Sequence, residues 1–237
     1  EIENSSSGGN QTNTVLNIND ESLWVGGNFA INVSDTQSLG FTLYYTSRNL
    51  QRGFTDQLIG ATNSRTTTEE KLFSNNSVIY SLGYYQQLSD YWSWGVNARL
   101  PSLEISGRGS YFRSDLNTAT SGVPVVVRRD NIESETRIPI RLATGIAYRI
   151  PKRHTIALDV SYHGPENYED FAITEVSDRI EHVPTYNIAL GAEHYFSDKF
   201  VGRLGLYTNA SSTPPISRTD RRYADHIHMW GWSANLG

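Results

Sequence analysis

Apolar and polar residues alternate with a period of two along most of this chain, and the alternating segments are joined by connections that are by turns short and long. A period of two places successive side chains on opposite faces of a strand, so the pattern calls for half-apolar β-sheet. No segment shows the 3.6-residue period of a helix. About nine segments are expected as strands: 23–33, 38–48, 77–87, 91–105, 138–150, 155–163, 186–196, 200–208 and 226–236. The tight connections are Ser34-Asp35-Thr36, Leu88-Ser89-Asp90, Pro151-Lys152-Arg153 and Ser197-Asp198-Lys199. The others, 49–76, 107–137, 164–185 and 209–225, read as long polar loops. A transmembrane barrel is built this way, with short turns at its periplasmic end and long loops outside. A soluble sandwich scatters its loop lengths between both ends.

The faces support the same reading. Ile138, Ile140, Leu142, Ile146, Tyr148 and Ile150 share one side of the fifth segment, and Arg141, Ala143, Gly145, Ala147 and Arg149 the other. The sixth sets Ile156, Leu158, Val160 and Tyr162 against Ala157, Asp159, Ser161 and His163. The apolar side is expected to meet lipid, with Trp92, Trp94, Tyr84, Tyr148 and Tyr162 in the aromatic girdles. The opposite side then lines a lumen. There Trp24, Tyr44, Ile79, Tyr85 and Tyr207 are the large candidates for contact with a substrate. Arg141, Asp159, Glu193 and Arg203 are the polar ones.

Composition narrows the classes. Charged residues make up 19% of the 237 and the net charge is −5, which argues against a nucleic-acid partner. With no cysteine, disulfides, thiolate metal sites and cysteine nucleophiles are excluded. No apolar run reaches membrane-helix length, and barrel strands leave no such run. No targeting signal is present, and the chain reads as part of a longer protein: residues 1–22 as a polar loop or extension, 23–237 as one barrel segment.

Turn length fixes register, because a slip of one residue swaps the faces. Three-residue turns pair Phe29 with Phe41, Gly83 with Gly95, Tyr84 with Trp94, Gly191 with Gly205 and Glu193 with Arg203. The second hairpin also admits a shift of two. About nine strands leave two open edges, so this segment alone is not expected to close.

Candidate chemistry is sparse. Asp159, Ser161 and His163 share a face, but i and i+2 positions lie about 6–7 Å apart on a strand, too far for a catalytic triad. No catalytic residue, cofactor or metal site is assigned. His226 and His228 with Asp225 lack a clear third metal ligand. Glu166, Glu169 and Asp170 lack a calcium-loop spacing. Arg218, Arg221 and Arg222 could meet lipopolysaccharide phosphates, with a solvated loop as the simpler reading.

Four stretches carry a resemblance. SLGYYQQLSDYWSWGVNARLPSLEISGRG (81–109), LATGIAYRIPKRHTIALDVSY (142–162), YNIALGAEHYFSDKFVGRLGLYTNASSTP (186–214) and DHIHMWGWSANLG (225–237) resemble, in this order, hairpins of the FadL-like outer-membrane transporters of long-chain fatty acids and aromatic hydrocarbons. The resemblance runs from about Leu23 to the end. It implies an antiparallel transmembrane β-barrel, part of a monomeric barrel of fourteen strands in a Gram-negative outer membrane. This chain would supply roughly the fourth to the twelfth. It also implies a plug and a lateral opening outside this sequence, uptake of hydrophobic small molecules, and contact with membrane lipid. Two other classes stay open: a non-transporting barrel (adhesin, receptor or structural subunit with an envelope protein partner) and a barrel enzyme such as a lipase.

Overall fold

The computed structural model describes residues 2–7, 10–120, 122–197, 200–215 and 226–237. Its strands are β1 (Ile2–Ser7), β2 (Asn10–Ser34), β3 (Gln37–Ile59), β4 (Ser64–Gln87), β5 (Trp92–Arg99), β6 (Leu103–Asn117), β7 (Val125–Glu133), β8 (Arg141–Ile150), β9 (His154–His163), β10 (Glu166–Glu169), β11 (Arg179–His182), β12 (Thr185–Ser197), β13 (Phe200–Asn209) and β14 (Met229–Leu236). Twelve of them form one antiparallel sheet, ordered β1-β2-β3-β4-β5-β8-β9-β12-β13-β14, while β10 and β11 pair only with each other. The sheet curls as a half-barrel. Among the described residues β14 pairs with β13 and no other strand, so the sheet is open, as expected.

The first, third and fourth tight hairpins have the expected registers. Phe29 lies opposite Phe41, Ile150 opposite His154, and Gly191 opposite Gly205. In the first a bulge between Asn32 and Ser34 shortens the turn to Asp35-Thr36. In the fourth a bulge follows Tyr195, and Asp198 and Lys199 lie outside the described residues. The second hairpin takes the two-place shift. Gln87 pairs with Ser93, leaving five residues between them, so Tyr85 faces Gly95 and Gly83 faces Asn97. The Leu88 amide donates to the Trp92 carbonyl at 2.8 Å and closes this wider turn.

Two of the expected polar loops are instead sheet. β3 and β4 remain paired out to Ile59 and Ser64, so 49–76 is a continuous hairpin. β6 and β7 form a second hairpin within 107–137. β2, β3 and β4 thereby reach 25, 23 and 24 residues, against the roughly 10 that cross a bilayer. The wall divides at Pro101, which cannot donate to the ladder. Near the turns β4 pairs with β5, and from Val78 outward it pairs with β6, with Ile105 bulged out.

The buried core lies in this outer extension. Lys71, Phe73, Asn75, Ser77 and Ile79 line one face of β4 and are all buried. The segment 164–185, which carries β10 and β11, folds back over them. Phe171 is fully buried among Phe73, Tyr111, Ile132 and Val176. It meets Phe73 edge-on, with ring centroids 5.9 Å apart. It can do so because residue 109 is glycine: a Cβ there would come within 2.6 Å of the Phe171 ring. The Lys71 ammonium, buried beside it, lies 3.2 Å from Asp170 and 2.9 Å from Asp178. The Asp178 amide and the Ser177 hydroxyl also donate to Asp170, so its carboxylate is fully engaged. Asp170 is therefore a structural anchor.

Candidate functional site

The two faces of the curl differ as the alternation requires. Along β12 the odd positions from Asn187 to Tyr195 are half-buried and the even ones exposed, which marks the odd side as the crowded, concave one. On the convex side Leu142, Ile146, Leu158 and Val160 are 42, 38, 40 and 37% exposed. Their rows continue across the sheet through Leu82, Leu190, Leu206 and Trp232. A soluble core would bury such residues, whereas lipid-facing side chains stand free once the bilayer is left out. Aromatic contacts gather at both rims of this belt. Trp92 and Tyr148 lie 4.9 Å apart at the turn end, and Tyr162 and Tyr186 lie 5.1 Å apart at the other. Two polar groups on this side satisfy each other and the ladder. The Trp94 indole donates to Thr144 Oγ1 at 2.8 Å, and that hydroxyl donates to the Gly95 carbonyl at 3.0 Å. In hydrocarbon an unmade hydrogen bond has no water to replace it.

The concave side is paved with small residues. The register sets Gly95 opposite Gly145, Ala147 opposite Ala157, and Gly191 opposite Gly205. Beside Tyr85 the first two of these pairs leave a groove of ≈ 520 Å³ lined also by Gly40, Gly83, Asn97 and Ala143. The Asp159 carboxylate folds over Gly145 into space that any side chain there would occupy.

The expected substrate contacts fall into three places on this wall. Trp24 and Tyr44 meet edge to face at 5.8 Å, and Gly26 leaves the room for the Tyr44 ring. Ile79 lies directly opposite Tyr44 and is fully buried. Tyr85 borders the groove. Tyr207 lies five strands further round in the same row, over Gly231. Of the polar candidates, Glu193 and Arg203 are direct cross-strand neighbours, and Arg203 Nε donates to Glu193 Oε2 at 2.7 Å. Arg141 stands between Arg99 and His163. Among the described residues no hydrogen bond joins Asp159, Ser161 and His163, and the His163 Nδ1 has no partner.

At the far mouth His226 Nδ1 lies 2.7 Å from the Thr213 carbonyl, and His228 Nδ1 accepts from the Ser211 amide at 3.2 Å. Among the described residues no cluster of three metal-ligating side chains is found. Glu166 turns to Arg137 at 3.6 Å. Asp225, Arg218, Arg221 and Arg222 lie outside the described residues. Three features escaped the sequence pattern: Arg99 directly opposite Arg141, the Lys71 anchor, and the segment that covers it. The one sequence signal for the last was the apolar run Phe171-Ala172-Ile173 inside a polar stretch.

An open, curled antiparallel wall with a lipid-facing convex side is the fold of an outer-membrane β-barrel. Solved structures agree. The toluene transporter TbuX of Ralstonia pickettii matches at TM-score 0.56 and 11% identity, over 87% of this chain and 70% of that one. The P. putida toluene transporter TodX matches at 0.58 and 11%, over 86% and 65%. A Pseudomonas aeruginosa FadL homologue matches at 0.61 and 10%, over 86% and 57%. At such identities the likeness is one of fold, and this chain spans between 57% and 70% of those three proteins. No protein-family model and no curated protein matches the sequence.

Proposed function

We propose that this chain is a wall of an outer-membrane barrel that takes up hydrophobic small molecules, fatty acids and aromatic hydrocarbons being the classes in view. The observation that carries the reading is the groove on the concave side. Its glycines and alanines leave ≈ 520 Å³ next to Tyr85, in a fold shared with two toluene transporters. Apolar, largely pre-formed concavities with a few polar groups are what small hydrophobic ligands occupy. Trp24, Tyr44, Tyr85 and Tyr207 are the apolar contacts along such a path, with Ile79 buried behind Tyr44 as their support, and Arg141, Asp159, Glu193 and Arg203 are its polar points.

The test is uptake by intact cells. The full-length protein, expressed in a host without its own such transporter, should speed the entry of radiolabelled toluene or a labelled fatty acid. If entry matches that of the empty host for both, while the protein is surface-exposed and folded, the reading falls and a non-transporting barrel takes its place.

A further inference from the structure

The convex wall changes character above the lipid belt. Val25, Tyr45, Val78 and Leu103 lie opposite one another across β2, β3, β4 and β6 and form its last apolar row. The next row outward is Leu23, Ser47, Asn76 and Ser106. Its polar groups are spent within the wall: the Tyr45 hydroxyl donates to Asn76 Oδ1 at 2.7 Å, and Asn76 Nδ2 donates to Ser106 Oγ at 3.1 Å. Two further rows follow, Glu21, Asn49, Ser74 and Arg108, then Asn19, Gln51, Leu72 and Ser110. Here, among the described residues, the side chains of Asn49, Gln51, Ser74 and Ser110 make no hydrogen bond to the protein. The two rows line a shallow groove of ≈ 500 Å³ on the side of the wall that faces the membrane.

Height and chemistry together define an occupant. From Val25 out to Glu21 and Asn19 is about 13–20 Å along the strand, or about 10–15 Å of height at a barrel's tilt. A headgroup layer is only about 5–7 Å deep, so the groove stands above it. In an outer leaflet of lipopolysaccharide this is the level of the core sugars. The charges are balanced rather than cationic: Glu21 and Arg108 end the first row, and Glu133 lies opposite Arg108 on β7. That balance favours hydroxyl groups over phosphate. Arg108 is held ready by a neutral group, its Nη1 donating to Asn131 Oδ1 at 2.7 Å. Asn131 sits in a bulge of β7 with φ 57°, a left-handed conformation that asparagine tolerates. Each amide sets a donor beside an acceptor, which suits the neighbouring hydroxyls of a sugar ring. Among them Leu72, 38% exposed, offers an apolar floor for the C–H face of such a ring.

We propose that this groove binds the core oligosaccharide of lipopolysaccharide in the surrounding leaflet, with Asn49, Gln51, Ser74 and Arg108 on the sugar hydroxyls and Leu72 beneath a ring. The concave side takes no part in it, so uptake and sugar binding stand or fall separately.

Native mass spectrometry of the full-length protein in a non-ionic detergent tests the groove with two probes. One is purified lipid A. The other is rough-type lipopolysaccharide, which carries the same lipid A with the core sugars attached. The unaltered protein should hold the core-bearing form about tenfold more tightly than lipid A. Asn49→Ala combined with Gln51→Ala should abolish that preference and leave lipid A binding unchanged, which also controls for folding. Equal affinity of the unaltered protein for the two forms overturns the proposal, as does binding of neither. A preference that survives the double change places the sugars elsewhere on the barrel and overturns this groove as their site.

Discussion

Glycine 109 and lysine 71 are the residues on which the outer extension turns, for different reasons. Gly109 gives Phe171 its seat. Gly109→Val puts a branched side chain where the ring lies, and overpacking of this kind costs about 1–3 kcal/mol. A Cβ there also meets the Leu72 carbonyl of β4, so the effect should stay within the outer extension: segment 164–185 and the outer β4–β6 ladder should become sensitive to protease on intact cells while the membrane wall stays assembled. Lys71 acts through charge. Its side chain is 4% exposed, and replacing it with methionine leaves Asp170, 7% exposed, without its cation. Breaking a buried pair from one side costs about 3–5 kcal/mol, whereas removing both charges costs far less. Lys71→Met should therefore free the segment in hydrogen-exchange measurements, and the double change Lys71→Met with Asp170→Asn should restore part of its protection. Equal exchange in the single and double variants would show that the ion pair is not what holds the segment.

Among the elements, β11 carries a pH dependence. Burial holds the His182 imidazole below its ordinary value of 6.5, and its Nδ1 lies 3.0 Å from Ser212 Oγ. The docked segment thus favours neutral histidine. As pH falls through 6.5 the undocked form takes up a proton first, so docking weakens toward acid and gains nothing further above that value. Hydrogen exchange across 164–185, corrected for intrinsic rate, should show less protection at about pH 5 than at about pH 7.5, and His182→Gln should remove that difference. The strands nearest the turns were legible because one face is uniformly apolar. With Leu142, Ile146, Leu158 and Val160 all needing lipid, only one parity works, and the short turns set the rest. The second hairpin was legible only to within two residues, since a five-residue turn keeps the same parity as a three-residue one. The extension was not legible. Its buried face on β4 reads Lys71, Phe73, Asn75, Ser77, a polar string by composition. It is buried because a segment about a hundred residues away in sequence returns to cover it: Lys71 and Asp170 are 99 residues apart. Likewise the Arg99–Arg141–His163 row is a product of register, and no local spacing announces it.

For the whole molecule, the prediction concerns the space inside the curl. A Cβ on Gly191 meets no atom within 4 Å, so a large side chain there projects into open lumen without disturbing the wall. Gly191→Phe should fold and reach the surface in normal amount yet slow hydrophobic uptake several-fold, while Gly27→Phe, on the lipid side and equally unobstructed, should leave it unchanged. Loss of uptake in both variants would point to misassembly, and loss in neither would mean that the path avoids this part of the wall.

The length of β2, β3 and β4 bears on what the cell shows to its surroundings. At about 3.3 Å per residue a strand of 25 residues runs about 80 Å, and crossing the hydrocarbon with a barrel's tilt uses less than half of it. The hairpin tip at Gly60-Ala61-Thr62-Asn63, where the Gly60 amide donates to the Asn63 carbonyl at 2.8 Å, stands some tens of ångströms above the bilayer on a ribbon stiffened by its neighbours. With the end of β6, paired beside it at Arg65 and Asn117, it is among the parts an antibody or a bacteriophage would meet first. A short epitope inserted between Ala61 and Thr62 should therefore be detected on living cells without permeabilisation, which makes this tip a handle for following the protein in place.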